Sequence, residues 1–204
     1  MNKVSGFWFS YSENIHFQLV SFNLFKKLST FKNIFVFEII PERNELVVSK
    51  LIENFGSSID QHEILSDMLC ITVKKEVVTE LLLFLRDNQE LQFNFLTTLC
   101  GMHYPEKEQL GVVYLLHSFV NNHRIRIKTT TSLAEPTLPT ATSIWPSANW
   151  MERETFDFFG IIFEGHPNLK RILNVEEMVD FPLRKEFPLE DQTREDKNDT
   201  FFGR

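Results

Sequence analysis

The sequence predicts an α+β fold, with helices packed on a small mixed or antiparallel sheet and an extended C-terminal arm. Three observations carry this reading. Apolar residues recur at helical spacing in several segments. Other runs are rich in β-branched residues or alternate apolar with charged positions. After Ala134, prolines break the chain and periodicity fades. A soft boundary near Glu135 divides residues 1–135, the α+β domain, from residues 136–204, a signature segment and arm.

Between His16 and Leu28, Phe17, Val20, Leu24 and Leu28 line one helical face, with Lys26 and Lys27 near its end. IFVFEII (Ile34–Ile40) predicts a strand, PERN a turn, and ELVVSKL a returning strand. The stretch from Glu53 to Leu65 reads as polar and irregular, broken by GSS at Gly56–Ser58. LCITV (Leu69–Val73) is a buried strand by its β-branched content. Val77, Leu81, Leu82 and Leu85 share a helical face that ends at Asp87-Asn88. Leu91, Phe95, Leu96 and Leu99 predict a second helix, stopped by Gly101. LGVVYLLHSFV, the turn NNH and RIRIKTTT form a hairpin. In its second strand Ile125 and Ile127 alternate with Arg124, Arg126 and Lys128, giving one core face and one wet face.

Pro136, Pro139 and Pro146 precede SANWMERETFDFFG, where Ser147 or Asn149 is placed to cap a short helix. GHPNLKRIL and DFPLRKEFPL then read as extended chain. Proline cannot serve a sheet interior, so such a segment suits lying across another surface.

Composition narrows the function classes. A net charge of −7 argues against general nucleic-acid binding, although the first 35 residues hold only Glu13 against four lysines. Cys70 and Cys100 are too few for an iron–sulfur cluster or a secreted disulfide scaffold and read as buried core residues. No window matches a membrane span, and the N-terminus has the pattern of neither a secretory signal nor an arginine-rich transit peptide. The expectation is that the chain works in the compartment where it is made. Phenylalanine occurs 21 times while alanine stands only at positions 134, 141 and 148; packing does not demand this, whereas an A/T-rich coding bias of the organelle kind produces it.

The charged cluster offers limited catalytic chemistry. On a helix Glu154 and Asp157 are i, i+3 neighbours, the spacing of an acid/base pair in a free-standing hydrolase. Glu152 and Glu154 lie about 200° apart and cannot flank one bond. Arg153 and Asp157, at i, i+4, are placed for a salt bridge, and the plainer reading bonds the helix carboxylates to arginines. No nucleophile elbow, Walker loop or dinucleotide fingerprint is present. Cys100 and His103 lack a second pair of metal ligands, and His166, before Pro167, reads as bonding local backbone. An interaction surface accounts for more residues. Trp145, Trp150, Phe156, Phe158 and Phe159 supply aromatic anchors shared between core and partner. Arg153, Arg171, Arg184 and Lys185 supply cations for a partner's carboxylates.

These residues resemble the signature of the NADH dehydrogenase subunit 9 family, the thirty-kilodalton subunit of respiratory complex I (NADH:ubiquinone oxidoreductase). The matching positions are Trp150, Glu152, Arg153, Glu154, Asp157, Gly160, Ile161, Gly165, His166 and Pro167. Leu169–Leu173, with Arg171, follows, and then Pro182, Leu183, Arg184, Lys185, Phe187 and Pro188, with Glu186 where the family has aspartate. The resemblance runs in register from about Leu81 to Leu189. It departs at His103, where aspartate is common, and at Phe181, where many relatives have a second Gly-His-Pro. It implies a scaffold subunit without a redox cofactor of its own, in the quinone-reducing module of a hetero-oligomer. FMN, iron–sulfur clusters and quinone are expected in partner subunits. Its chief neighbour would be the large hydrogenase-like quinone-site subunit. The implied seat is the matrix side of the mitochondrial inner membrane, peripheral and organelle-encoded, with the cytoplasmic face of a bacterial inner membrane as the alternative. An equivalent subunit of a hydrogenase-like membrane complex is the related alternative.

Overall fold

The computed structural model describes residues 41–188. The helix expected from His16 to Leu28 and the strand expected over Ile34–Ile40 lie outside them.

Helix α1 (Pro41–Phe55) occupies the stretch where the sequence suggested a turn and a returning strand. Proline opens it at the end of a helix, where a missing N–H costs nothing. The local Leu46-Val47-Val48 run favours a strand, but a longer window decides for a helix. Asn44, Val47 and Leu51 are buried at helical spacing, and Phe55 meets Phe84 edge-on at 5.6 Å between ring centres. Arg43 donates to the Asn121 carbonyl, Asn44 bonds His123 across 2.8 Å, and Lys50 pairs with Glu90. Three contacts distant in sequence thus hold a helix that local propensity does not.

After a 3-10 turn at Gly56–Ser58 come β1 (Ile59–Leu65) and β2 (Met68–Val73), an antiparallel hairpin. Its two turn residues, Ser66 and Asp67, both have positive φ, as a tight hairpin turn requires. The polar stretch that read as irregular is therefore largely an edge strand, and its polarity is what an edge tolerates. Helix α2 (Val78–Asp87) buries Val78, Leu81, Leu82 and Leu85. The expected face holds, with Val78 rather than half-buried Val77 at its start.

The expected second helix is instead strand β3 (Phe95–Tyr104), paired antiparallel with β4 (Gln109–Ser118). Leu96 and Leu99, three apart, looked helical. A register shift between Leu96 and Thr98 inserts a bulge residue, which turns both leucines to the core. β4 and β5 (His123–Ser132) form the predicted hairpin, with Ile125 and Ile127 buried.

The sheet runs β1-β2-β5-β4-β3, antiparallel except for the parallel β2/β5 pair. One face carries Leu69 and Ile71, Ile125 and Ile127, Tyr114 and Leu116, and Leu96 and Leu99, in register across four strands. The hydrophobic core is continuous from that face through α1 and α2 to Leu138, Trp145 and Phe163. Short strands β6 (Thr137–Pro139) and β7 (Ile162–Glu164) pair in parallel and bracket helix α3 (Ala148–Phe159), which packs on β3. From Gly165 to Pro188 the chain holds turns and bends only. Cys70 is buried as expected. Cys100 is exposed, because strand alternation turns it away from the core side that Leu99 occupies.

Candidate functional site

The signature residues gather around α3 and the segment wrapped over it. Neither Ser147 nor Asn149 caps the helix by its side chain. Asn149 lies inside it, and Ser147 already has helical backbone angles. The turn ahead is wound by the N–H groups of Trp145 and Ala148, bonded to Ala141 and Trp145 carbonyls, which leaves no extended residue to act as cap. At the far end Gly160 takes φ +77° and closes the helix through its N–H to Phe156 O. A Cβ on Gly160 would also stand 2.6 Å from the Phe181 ring and 2.7 Å from the Arg184 guanidinium. Glycine is needed there for backbone angle and for space.

Asp157 is fully buried, and its carboxylate accepts five hydrogen bonds. Its Oδ1 receives Arg171 at 2.8 Å and the Asn174 side chain at 3.0 Å; its Oδ2 receives the successive N–H groups of Ile172, Leu173 and Asn174 at 2.7–3.0 Å. Burial by itself would raise this carboxyl. The N–H donors of Asn174 and Leu173, with Arg171, reverse the sign and hold it well below the usual carboxylate range. Arg171 also donates to the carbonyls of Asp157, Met178 and Asp180. Its guanidinium thus ties Met178 and Asp180 of the arm to the helix that carries Asp157.

Arg184 finishes the wrap. Its Nε donates to Phe159 O at 2.7 Å, the N–H of Leu183 donates to Phe158 O, and its guanidinium lies 4.4 Å over the Phe181 ring. The two carbonyls belong to the last turn of α3, which has no intrahelical donors for them. The N–H of Lys185 donates to His103 Nδ1 at 3.0 Å, which ties the end of the segment to β3. Pro182, Phe187 and Pro188 continue this segment, with Phe187 N–H on Arg184 O.

Several sequence expectations change here. Arg153 does not pair with Asp157. It donates to Lys170 O and Arg171 O and lies 5.0 Å over Trp150. Arg153, Arg171 and Arg184, each half-buried, are therefore bonded within the chain, while Lys185 is exposed. Glu154 is exposed and every oxygen of Asp157 is engaged by donors, so no acid/base pair assembles. Carboxylate-to-arginine bonding holds for Asp157 but not for Glu152. Glu152, fully buried, accepts Thr140 Oγ1–H and Ala141 N–H, each at 2.6 Å, and burial pushes its pKa up to about 7 against those two bonds. Cys100 and His103 fall apart in environment, one exposed and one buried.

His166 does bond backbone. Its Nδ1 accepts the Asn168 N–H, which leaves the proton on Nε2 to be donated to Asn149 O at 3.1 Å. Gly165, at φ +83°, makes the turn that brings His166 there, and Pro167 follows on the surface. Of the aromatic anchors, Trp145 is buried, and Phe156, Phe158 and Phe159 are half-buried, the Phe159 ring lying directly over Gly101. Trp150 is 64% exposed and Val179 84%, with Leu173, Val175 and Leu183 also outward. The wrap thus engages Arg171 and Arg184 and leaves exposed aliphatic side chains among its remaining charged residues. Sequence reading missed Thr140, Ala141, Asn174 and Phe181 as partners, because each is joined to α3 by tertiary contact alone.

Comparison with known proteins agrees with this architecture. The family model described as respiratory-chain NADH dehydrogenase, 30 Kd subunit, matches residues 71–193. A subunit of the NADH-quinone oxidoreductase of Citrifermentans bemidjiense is 42% identical over 157 residues, 76% of this chain and 96% of the relative. The corresponding subunit from Roseiflexus castenholzii is 48% identical over 122 residues, 59% of this chain and 70% of the relative. A trypsin-resistant fragment of Nqo5 superposes with a TM-score of 0.51 at 30% identity, covering 60% of this chain and 99% of the fragment. A chain of the membrane-bound sulfane sulfur reductase, an archaeal respiratory membrane complex, shares the fold at a TM-score of 0.61 and 23% identity, over 72% of this chain and 86% of its own. With a matched family model spanning α2, strands β3 to β5, α3 and the wrapped segment, the chain belongs to the family of the 30 kDa subunit of respiratory-chain NADH dehydrogenase.

Proposed function

We propose that this chain is an architectural subunit of a proton-translocating NADH:quinone oxidoreductase, without an active site of its own, that docks on the large quinone-site subunit. The observation that carries the reading is the arm from Leu169 to Pro188. Arg171, Arg184 and several backbone N–H groups bind it to α3, while Leu173, Val175, Val179 and Leu183, with Trp150 of α3, face outward. Exposed apolar side chains held on a stiffened segment are the material of an interface core, because little ordering entropy remains to be lost on docking. Redox chemistry, with FMN, iron–sulfur clusters and quinone, then resides in the partners, and this chain keeps the quinone-site subunit in working geometry.

Among the described residues no helix is long and apolar enough to cross a membrane, which accords with a peripheral seat held through other subunits. The A/T-like composition supports an organelle-encoded chain at the mitochondrial inner membrane; the bacterial relatives accord equally with the cytoplasmic face of a bacterial membrane. The test is a native-gel separation of detergent-solubilised membranes, probed with an antibody to this chain and stained for NADH dehydrogenase. Co-migration with a very large stained band is expected. A large band without that activity would move the assignment to a hydrogenase-like complex. A lone band near 24.1 kDa would overturn the subunit reading.

A further inference from the structure

Glu152 stands apart from the other signature charges. It has no exposed surface, and the partners recorded for it are a hydroxyl and a backbone N–H rather than a cation. A buried carboxylate without a countercharge is costly to keep ionised. Its Oε2 takes the Thr140 hydroxyl at 2.6 Å, and Thr140 Oγ1 lies 2.9 Å from Thr142 Oγ1. Thr142 is half-buried and is followed by exposed Ser143. Two hydroxyls in series therefore link an enclosed carboxylate to the rim of the loop between β6 and α3.

Among the described residues, the titratable groups of β4, β7 and α3 are held protonated, exposed or engaged elsewhere, and on β3 Cys100 is exposed and His103 accepts the Lys185 N–H. On β4, fully buried Tyr114 feels the charge of the carboxylate, its hydroxyl unpartnered among the described residues; burial first, and then Glu152, push that hydroxyl above its ordinary range, so it stays protonated. From β7, Glu164 is exposed. His166 is engaged by Asn149 and Asn168. On α3 itself, Arg153 bonds the carbonyls of residues 170 and 171, Glu154 is exposed, and Asp157 is held by Arg171.

We propose that Glu152 is a solvent-linked proton site, loaded through Thr142 and Thr140, whose proton occupancy sets how tightly α3 is tied to the β6–α3 loop. As a carboxylate it accepts from Thr140 and from Ala141, and both bonds are charge-assisted. On loading, a proton from water joins Thr142 Oγ1, the Thr142 proton passes to Thr140, and the Thr140 proton passes to Glu152 Oε2. Each hydroxyl gains one proton and loses one, and the hydrogen-bond chain reverses direction. Oε1 then keeps the Ala141 N–H as a neutral, weaker acceptor. The near-neutral pKa of Glu152 places this exchange within the physiological range. The inference goes beyond the docking role and does not depend on it.

The test is an NMR titration of the full 204-residue chain with labelled glutamate carboxyls and labelled backbone amides. One glutamate carboxyl is expected to titrate near pH 7, with the Ala141 amide shifting at the same midpoint, and both signals are lost in Glu152→Gln. Thr142→Val is expected to leave that midpoint in place while slowing proton exchange, so that one averaged carboxyl signal becomes two. If every glutamate titrates in the ordinary acidic range, or the Ala141 amide does not move, the proton site is refuted. Should Thr142→Val leave exchange unchanged, the hydroxyl relay is refuted. The Ala141 amide in the unaltered chain decides the first point even if Glu152→Gln does not fold.

Discussion

Arg171 donates to Asp157 through both the side-chain Oδ1 and the backbone carbonyl, each at 2.8 Å, while its second Nη holds Met178 O at 2.6 Å. A single guanidinium therefore joins the C-terminal half of α3 to a later segment that has no regular structure. The planar fork of arginine makes this possible, because it offers several donors in fixed directions.

Asp157→Asn removes the charge and leaves Arg171 buried without its partner. Breaking a buried pair of this kind costs about 3–5 kcal/mol, and chemical denaturation should show a loss of that order. Arg171→Lys keeps the charge but loses the fork, so it should destabilise by less while still freeing the segment around Met178 and Asp180. Limited proteolysis near those residues would read the difference. A wild-type cleavage pattern in both variants would mean that the wrap is held by something else.

The two buried carboxylates of α3 should give opposite pH signs. The Asp157 carboxyl is depressed in the fold, so its contribution is complete above the ordinary carboxylate range and is lost as pH falls below it. The Glu152 carboxyl is raised from 4.5 to about 7, so the fold binds that proton more tightly than the unfolded chain does. Its contribution is full below pH 4.5 and disappears as pH rises through about 7. A shift of that size corresponds to about 3 kcal/mol. Glu152→Gln should flatten the stability profile across this window. An unaltered slope in the variant would remove Glu152 as its source.

Gly160→Ala places a side chain at positive φ against Phe181 and Arg184. The backbone strain is about 1–3 kcal/mol, and displacement of Arg184 from Phe159 O adds to it. Gly101→Ala puts a Cβ 2.5 Å from the Phe159 ring and should cost about 1–3 kcal/mol by overpacking. Thermal unfolding of the two variants checks both, and a melting temperature within error of wild type would refute either contact.

Val179→Asp and Leu183→Asp alter the exposed aliphatic surface without touching a described hydrogen-bonding side chain of the wrap. Each should change stability by no more than about 0.5 kcal/mol, yet deplete the chain from the large complex on a native gel. Normal assembly of both variants would move the docking surface elsewhere on the molecule.

Elements whose patterning is local were legible from residue order. Met68–Val73, the α2 face and the β4/β5 hairpin can be read because period and turn chemistry agree within each segment. Residue order also marked the signature positions around α3 and the family they resemble. It misled where distant contacts overrode the local pattern. A bulge made Leu96 and Leu99 neighbours on a strand, and bonds from Arg43 and Asn44 to the β4/β5 turn region fixed α1 as a helix. What each charge does was settled by folding. Asp157 and Glu152 share one helix, yet one carboxylate meets an arginine, an asparagine amide and three backbone N–H groups, and the other meets one hydroxyl and one N–H with no cation. Partners drawn from Thr140 to Asn174 set the ionisation of each, and spacing along the helix carries no record of them.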